Sequence, residues 1–426
     1  MATKKVKPKE RRDPGSGSVY ESPKGSGRWF AALRIEEHEK PIRRRAASEQ
    51  AAYAKLEALE ELKRKRIDVN KGSQTFEDWL NACHAEKNRL TKPSPRSIEF
   101  NKSKIESYII PKMGALRLLE IRPPHIQACI DEVYAEIGAY YADTMGYDGA
   151  RTAHAVALVI KEAITLAFDR KLIPDNPYSG IRLPKYRRKK ITPMDDQQCH
   201  VFLLAAAGKL DCRARYTDAR GRNKRLPPIN PRLFALWASY VLLGERRGEG
   251  LGLLWENIDW KKRTIKITQQ VQRVNGNELL TRGTKTEDSV RELPLPNRLY
   301  DWLGEHYENI KAEYALRGVT WLGTGLIFVS EVGTALWPDN IEARFRKIRA
   351  AAGLPKTIKL HHARHTLATL CDECGCTEAL KADILGHSKK TQSQKYTHGR
   401  IEAMRVVLQA VEDRLLGGVA LGEMVG

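Results

Sequence analysis

Between residues 18 and 45 short β-prone runs alternate with Gly, Pro and Ser turns, as in "SVYESPKGSGRWFAALRIEEHEKPIRRR". The alternation predicts three strands, about 18 to 22, 28 to 36 and 40 to 45. The period then lengthens. Ser48 offers an N-cap, and Ala52, Leu56, Leu59 and Leu62 recur at helical spacing, which predicts a charged helix behind the small sheet. Phe76, Trp79, Leu80 and Cys83 fall at i, i+3, i+4 and i+7, one face of a further helix. Three more helices are expected: one over about 95 to 109, ending before Pro111, one from the paired prolines through Ile130 and Val133, and one across "ARTAHAVALVIKEAITLAFDRKL". Together they make a compact helical domain.

A dense basic run between two prolines, "PKYRRKKITP", then reads as an interdomain linker. Beyond Pro193 the pattern is mixed. "DDQQCHVFLLAAAG" looks helical, and residues 207 to 230 form a long basic loop without a periodic signal. "RLFALWASYVLLGERRGEGLGLLW" reads as a buried helix, a turn at Gly244 and a second helix. Ile265 and Ile267 alternate, "NGN" turns the chain and "VRELPL" closes a sheet. The remainder is mostly helical. Its last segment carries Met404, Leu408, Val411 and Leu415 as an apolar stripe, expected to contact another protein, with packing against its own chain as the alternative. The fold class expected is multidomain and mainly α with small β-sheets: an N-terminal three-stranded sheet plus helix, an α-helical domain, and a mixed α+β domain. The boundaries drawn are a basic tail over 1–15, domains over 16–68, 73–182 and 194–400, a linker over 183–193, and a tail helix over 401–426.

Composition sharpens this picture. The chain of 426 residues carries a formal net charge of +21, a field that attracts polyanions, so nucleic acid is the leading partner. No stretch approaches the roughly 20 apolar residues of a spanning helix, and the basic start has no apolar signal core, so no membrane partner and a cytoplasmic location are expected. Cys371, Cys374 and Cys376 lie close to His361, His362 and His365, a grouping that invites a zinc reading. The other four cysteines form no second knuckle, so reduced and mostly buried thiols are expected, with no metal.

Four segments carry chemistry. "GERRGE" offers Arg246 after a turn glycine, with Glu249 three residues on; "TRGTKTEDSVR" places Lys285 between two strands. "LHHARHT" spaces His361 and Arg364 by three, which on a helix sets them on one face about 5 to 6 Å apart. "LGHSKKTQSQKYTH" gives His387 and, nine residues later, Tyr396. Phosphodiester cleavage by a tyrosine would need these types. Guanidinium forks suit a charged phosphorane, a lysine or histidine can protonate the leaving hydroxyl, and the phenol needs a proton acceptor or local positive charge.

In this order and spacing the four segments resemble the tyrosine recombinase, or phage integrase, family, with G-x-R-R-x-E, a strand-linked lysine, H-x-x-R-H-T, L-G-H and Y-T-H. "YIIPKMGALRLLEIRPPHI" resembles the family's helical core-binding domain, "DNPYSGIRLPK" its linker, and the N-terminal sheet the arm-binding domain of integrases. The resemblance implies that Tyr396 attacks the scissile phosphate, leaving a 3′-phosphotyrosyl bond and a free 5′-hydroxyl. Arg246 and Arg364 would hold the non-bridging oxygens, Lys285 would protonate the leaving group, His361 would assist proton transfer, His387 would donate to the phosphate, and Glu249 would support the site. Arg282 competes with Lys285 for its role, and Glu245 stands where the family is usually apolar.

No cofactor is implied. The implied partners are double-stranded DNA at core and arm sites, a homo-tetramer on that DNA, and a host bending factor or excisionase. DNA contacts are expected from Arg28, Arg34, Arg43, Arg44 and Arg45 in the sheet, and from Lys185, Arg187, Arg188, Lys189 and Lys190 in the linker. The function implied is a site-specific recombinase that integrates and excises a mobile element. The alternatives are a type IB topoisomerase-like enzyme, a Xer-type resolvase, and a DNA-binding regulator without catalysis.

Overall fold

The structure is a computed structural model that describes residues 17–34, 41–145, 149–186, 191–210, 215–217, 223–225, 228–274, 278–283, 290–318, 324–386 and 398–417. The chain divides into two compact units, Met1–Arg187 and Arg188–Gly426.

In the first unit, β1 (Ser18–Glu21), β2 (Trp29–Leu33) and β3 (Ile42–Ala46) form an antiparallel sheet in that order. Helix α1 (Glu49–Arg64) covers one face and buries Leu56 and Leu59 against Ala31 and Leu33. Ser48 caps it, its Oγ accepting from the Ala51 N–H at 3.2 Å. Side chains alternate along a strand, so the pairing of Ala31 with Arg44 and of Phe30 with Arg45 sorts the arginines. Arg44 shares the face that carries Ala31. Arg43 and Arg45 lie on the open face with Phe30 and Tyr20, whose rings stack at 5.8 Å.

After the single turn α2 (Val69–Gly72), helices α3 (Phe76–Thr91), α4 (Pro95–Lys104), α5 (Pro123–Met145) and α6 (Ala150–Asp169) enclose a second core. Phe76, Trp79 and Leu80 are buried in it while Cys83 is half-buried, and the Trp79 indole donates to the Ala163 carbonyl at 2.9 Å. One expectation fails here. The helix from Pro95 does not end before Pro111; it continues as a π-helical segment over Ile105–Gly114, with the proline inside it. Pro111 forfeits one N–H, but Ile105, Ile109 and Met113 are all buried in the core and hold the turns together.

The second unit begins with α7 (Asp196–Ala206), closed by a capping box between Asp195 and Gln198. The stretch read as structureless contains a short antiparallel ribbon, β4 (Arg215–Thr217) with β5 (Asn223–Arg225). Neither strand has an alternating apolar face, which is why the pattern missed it. Helix α8 (Phe234–Leu242) is buried on every side, and the five-residue α9 (Arg247–Leu251) follows the turn at Gly244. Strands β6 (Ile258–Asp259), β7 (Thr264–Ile267), β8 (Gln269–Val274), β9 (Glu278–Gly283) and β10 (Arg291–Pro294) come next. They build two sheets rather than one, a three-stranded sheet in the order β10-β7-β6 and a separate β8-β9 ribbon.

Helices α10 (Asn297–Arg317), α11 (Pro338–Ala351), α12 (His361–Glu373), α13 (Glu378–Leu385) and α14 (His398–Leu416) complete the unit. The apolar stripe on α14 is not an open face. Met404, Leu408, Val411 and Leu415 are buried in this unit's own core. Glu412 of α14 also accepts from the backbone N–H groups of Arg298 and Leu299, at 2.9 and 3.0 Å, satisfying donors at the start of α10. The stripe therefore packs in cis, and the exposed Val406 of the same helix lies off it.

Candidate active site

Gly244 makes the turn out of α8. Its φ of +60° suits glycine, and a Cβ there would stand 2.6 Å from the Leu367 side chain. The turn delivers Arg246 to the start of α9. Glu249 closes the loop behind it, accepting the Arg246 N–H at 3.0 Å and its guanidinium through Oε1. Glu249 is buried, and burial opposes its ionisation, but Arg291 and then Arg246 outweigh that and hold its carboxyl below the usual range.

Helix α12 brings His361 and Arg364 to the same place. Arg364 Nη1 donates to the Gly244 carbonyl at 2.9 Å, and its Nη2 donates to the carbonyl of Leu385, the last residue of α13. Burial lowers the Arg364 guanidinium to about 9, with Arg246 and Arg291 adding repulsion. The two arginines differ in access: the Arg246 side chain is 38% exposed, whereas Arg364 is 5% exposed. His361 opens to solvent on one side and meets the His365 ring edge-on at 4.9 Å. Partial burial, then His365, Arg364 and Arg246, hold its imidazole below the usual range, so it is neutral at pH 7. Thr366 is fully buried and accepts the Met194 N–H at 2.9 Å, fixing α12 against the start of the unit.

Sequence reasoning missed Arg291. It sits on β10 with a fully buried side chain, donating from Nη2 to Glu249 Oε2 at 3.0 Å and from Nε to the Ile384 carbonyl at 2.9 Å. Its signal was a charged residue at the inward register of a strand whose next inward position, Leu293, is apolar. Glu245 is the other buried group. It accepts from Ser239 Oγ at 2.6 Å, and burial pushes its carboxyl up to about 7.

Arg246, Glu249, His361 and Arg364 thus meet in one place. Lys285, His387 and Tyr396 lie outside the described residues, as do Arg187, Arg188, Lys189 and Lys190. Arg28, Arg34, Arg43, Arg44, Arg45 and Lys185 are exposed and belong to the first unit. Ten residues of helix, about 15 Å, separate His361 from Cys371, and among the described residues no group of three or more His, Cys, Asp or Glu side chains could hold a metal ion.

Residues 228–402, which hold Arg246, Glu249, Arg291, His361 and Arg364, match the phage integrase family model. The chain carries a phage integrase domain. A tyrosine recombinase XerC-like protein of Caldanaerobacter subterraneus subsp. tengcongensis is 32% identical over 39% of this chain, and the match spans 46% of that relative's length. An integrase of Saccharopolyspora erythraea is 23% identical over 92% of this chain and 94% of its own. Among solved structures, the Tn1549 transposon integrase in complex with transposon right end DNA shares the fold at a TM-score of 0.57 and 17% identity, over 76% of this chain and 97% of that one. A lambda integrase tetramer bound to a Holliday junction shares it at 0.50 and 16% identity, over 91% and 99%. Arg246, Glu249, His361 and Arg364 all lie within the matched residues. No described helix is long and apolar enough to cross a membrane.

Proposed function

We propose that the protein is a site-specific DNA recombinase that cleaves and rejoins double-stranded DNA through a 3′-phosphotyrosyl bond to Tyr396, in the service of a mobile element. One observation carries the reading. Arg246 and Arg291 both bind Glu249, whose carboxyl is held ionised, and beside them burial first, then repulsion from Arg246 and Arg291, lowers the hold of Arg364 on its own proton. Such a cluster lacks negative charge, and a phosphodiester supplies it in the geometry that guanidinium forks match.

In this mechanism Arg246 and Arg364 bind the non-bridging oxygens. Each terminal nitrogen of Arg364 that holds a backbone carbonyl has a second N–H. His361, neutral at pH 7, accepts the phenolic proton as the Tyr396 oxygen bonds to phosphorus. The phosphorus–oxygen bond to the 5′ side breaks, and Lys285 gives that oxygen its proton. His387 donates to the phosphate. The reverse sequence reseals the strand, and the phosphotyrosyl bond conserves the energy needed, so the chemistry calls for neither nucleotide nor metal.

Residues 194–400 would be the catalytic domain, 73–182 a core-binding domain, and 16–68 an arm-binding domain that uses the open sheet face. The reaction implies two duplexes and four copies of the chain, hence a tetramer on DNA in the cytoplasm, with a bending factor or excisionase as accessory partner. The test is a nicked suicide duplex taken from the junction DNA that bounds its own gene. A covalent adduct that Tyr396→Phe abolishes is expected, together with strand exchange between two sites. Relaxation without exchange would favour a topoisomerase, and no adduct would leave a DNA-binding regulator.

A further inference from the structure

A guanidinium with no solvent exposure is costly unless its charge and its donors are met. Arg291 meets them in an instructive way. Its Nη2 reaches Glu249 in the turn that presents Arg246, and its Nε reaches the Ile384 carbonyl near the end of α13. Arg364 bridges the same two segments one position along, from the Gly244 carbonyl to that of Leu385. Adjacent carbonyls of α13 are thus held by two arginines that arrive from different elements, β10 and α12. Gly386 closes the arrangement, since a Cβ there would stand 3.0 Å from Arg291 Nη1. The chain then runs on to His387 and Tyr396.

We infer that Arg291 is a positioning residue for strand cleavage: it fixes the carboxylate that orients Arg246 and ties that turn to the end of α13, without touching DNA. The inference rests on the recombinase reading above. Full burial keeps Arg291 from the phosphate, so it acts only through what it holds.

The charged and titratable groups facing Glu249 are Arg246 and Glu245 in its own turn, Arg291 from β10, Arg364 from α12 and Tyr240 from α8. Removing the Arg291 charge leaves burial less opposed. Glu249 then takes up a proton at a higher pH and releases its grip on Arg246. A lysine keeps the charge but lacks the fork that spans both partners.

The experiment is single-turnover cleavage of the nicked junction duplex by the full-length protein across the acid to neutral range, with duplex affinity and melting temperature measured in parallel. Arg291→Met should cleave on the order of 100-fold more slowly, the penalty for a misplaced reacting group, with affinity retained. Its acid limb should move to higher pH. Arg291→Lys should also cleave slowly, with the acid limb where the unmodified protein has it. Either variant cleaving at the unmodified rate while folded would overturn the inference, as would identical pH profiles for the two. If Arg291→Met does not fold, the rate of Arg291→Lys decides. Failure of the recombinase reading looks different: the unmodified protein itself would then form no adduct.

Discussion

Arg364 donates to the carbonyl of Gly244 at 2.9 Å, across 120 residues of sequence. A side chain proposed to grip the scissile phosphate also holds the turn that presents its partner arginine. Arg364→Lys should therefore lose cleavage on the order of 100- to 1000-fold. It should also lose stability, about 1 to 3 kcal/mol for each buried carbonyl left without its donor. Arg246→Lys should lose a comparable rate with little change in stability, because the Arg246 side chain is more exposed and Glu249 retains Arg291. Denaturant melts beside adduct kinetics test the contrast; equal stability loss in both would contradict it.

His306 is buried, its ring bonded to the Ile327 carbonyl at 3.1 Å, and burial holds its imidazole down at about 4. The unfolded chain binds that proton near pH 6.5, so between the two values the unfolded state carries more protons. Stability should fall as pH drops through this window. His306→Gln should flatten the dependence of melting temperature on pH there, and an unchanged slope would count against the assignment.

Glu245 works in the opposite direction. Its carboxyl titrates at about 7 in the folded protein and at 4.5 ordinarily, so the folded state binds the extra proton, and stability falls as pH rises through that interval. Glu245→Gln keeps the shape and removes the charge. It should raise the melting temperature above neutral pH and leave it nearly unchanged in mild acid. A gain of equal size at both ends would mean that packing, not ionisation, sets the effect.

On the N-terminal sheet, register separates arginines that look equivalent in "IRRRA". Arg43 and Arg45 share the open face with Tyr20 and Phe30, and Arg44 points to the side that α1 covers. Arg43→Ala and Arg45→Ala should each weaken arm-site binding and reduce its salt slope by about one. Arg44→Ala should do less. Fluorescence titrations of an arm duplex at several salt concentrations would show it, and an equal loss at all three positions would refute the face assignment.

The parts of this fold that were legible are those in which one pattern had one physical meaning. Turn residues set off the three strands, Ser48 announced α1, and the His361–Arg364 spacing already implied a shared helix face. The rest depended on competition between effects. Pro111 signals a stop, but the buried Ile105, Ile109 and Met113 outweigh one missing N–H. The stripe on α14 gave its apolar character but not which surface would cover it. Arg291 was hidden for the reason that makes it informative: a lone arginine in a strand reads as solvated, and only the partners Glu249 and Ile384 reveal that it is enclosed.

Helix α14 is anchored at several points, by its core stripe, by Glu412 at α10 and by an ion pair from Arg400 to Asp383 of α13. It begins at His398, two residues after Tyr396. Two residues of fully extended chain span at most about 7 Å. The start of α14 is thus fastened to the frame that carries Arg246 and Arg364, so under the proposed function the reacting phenol would be tethered by only a few ångströms of chain to a fixed anchor.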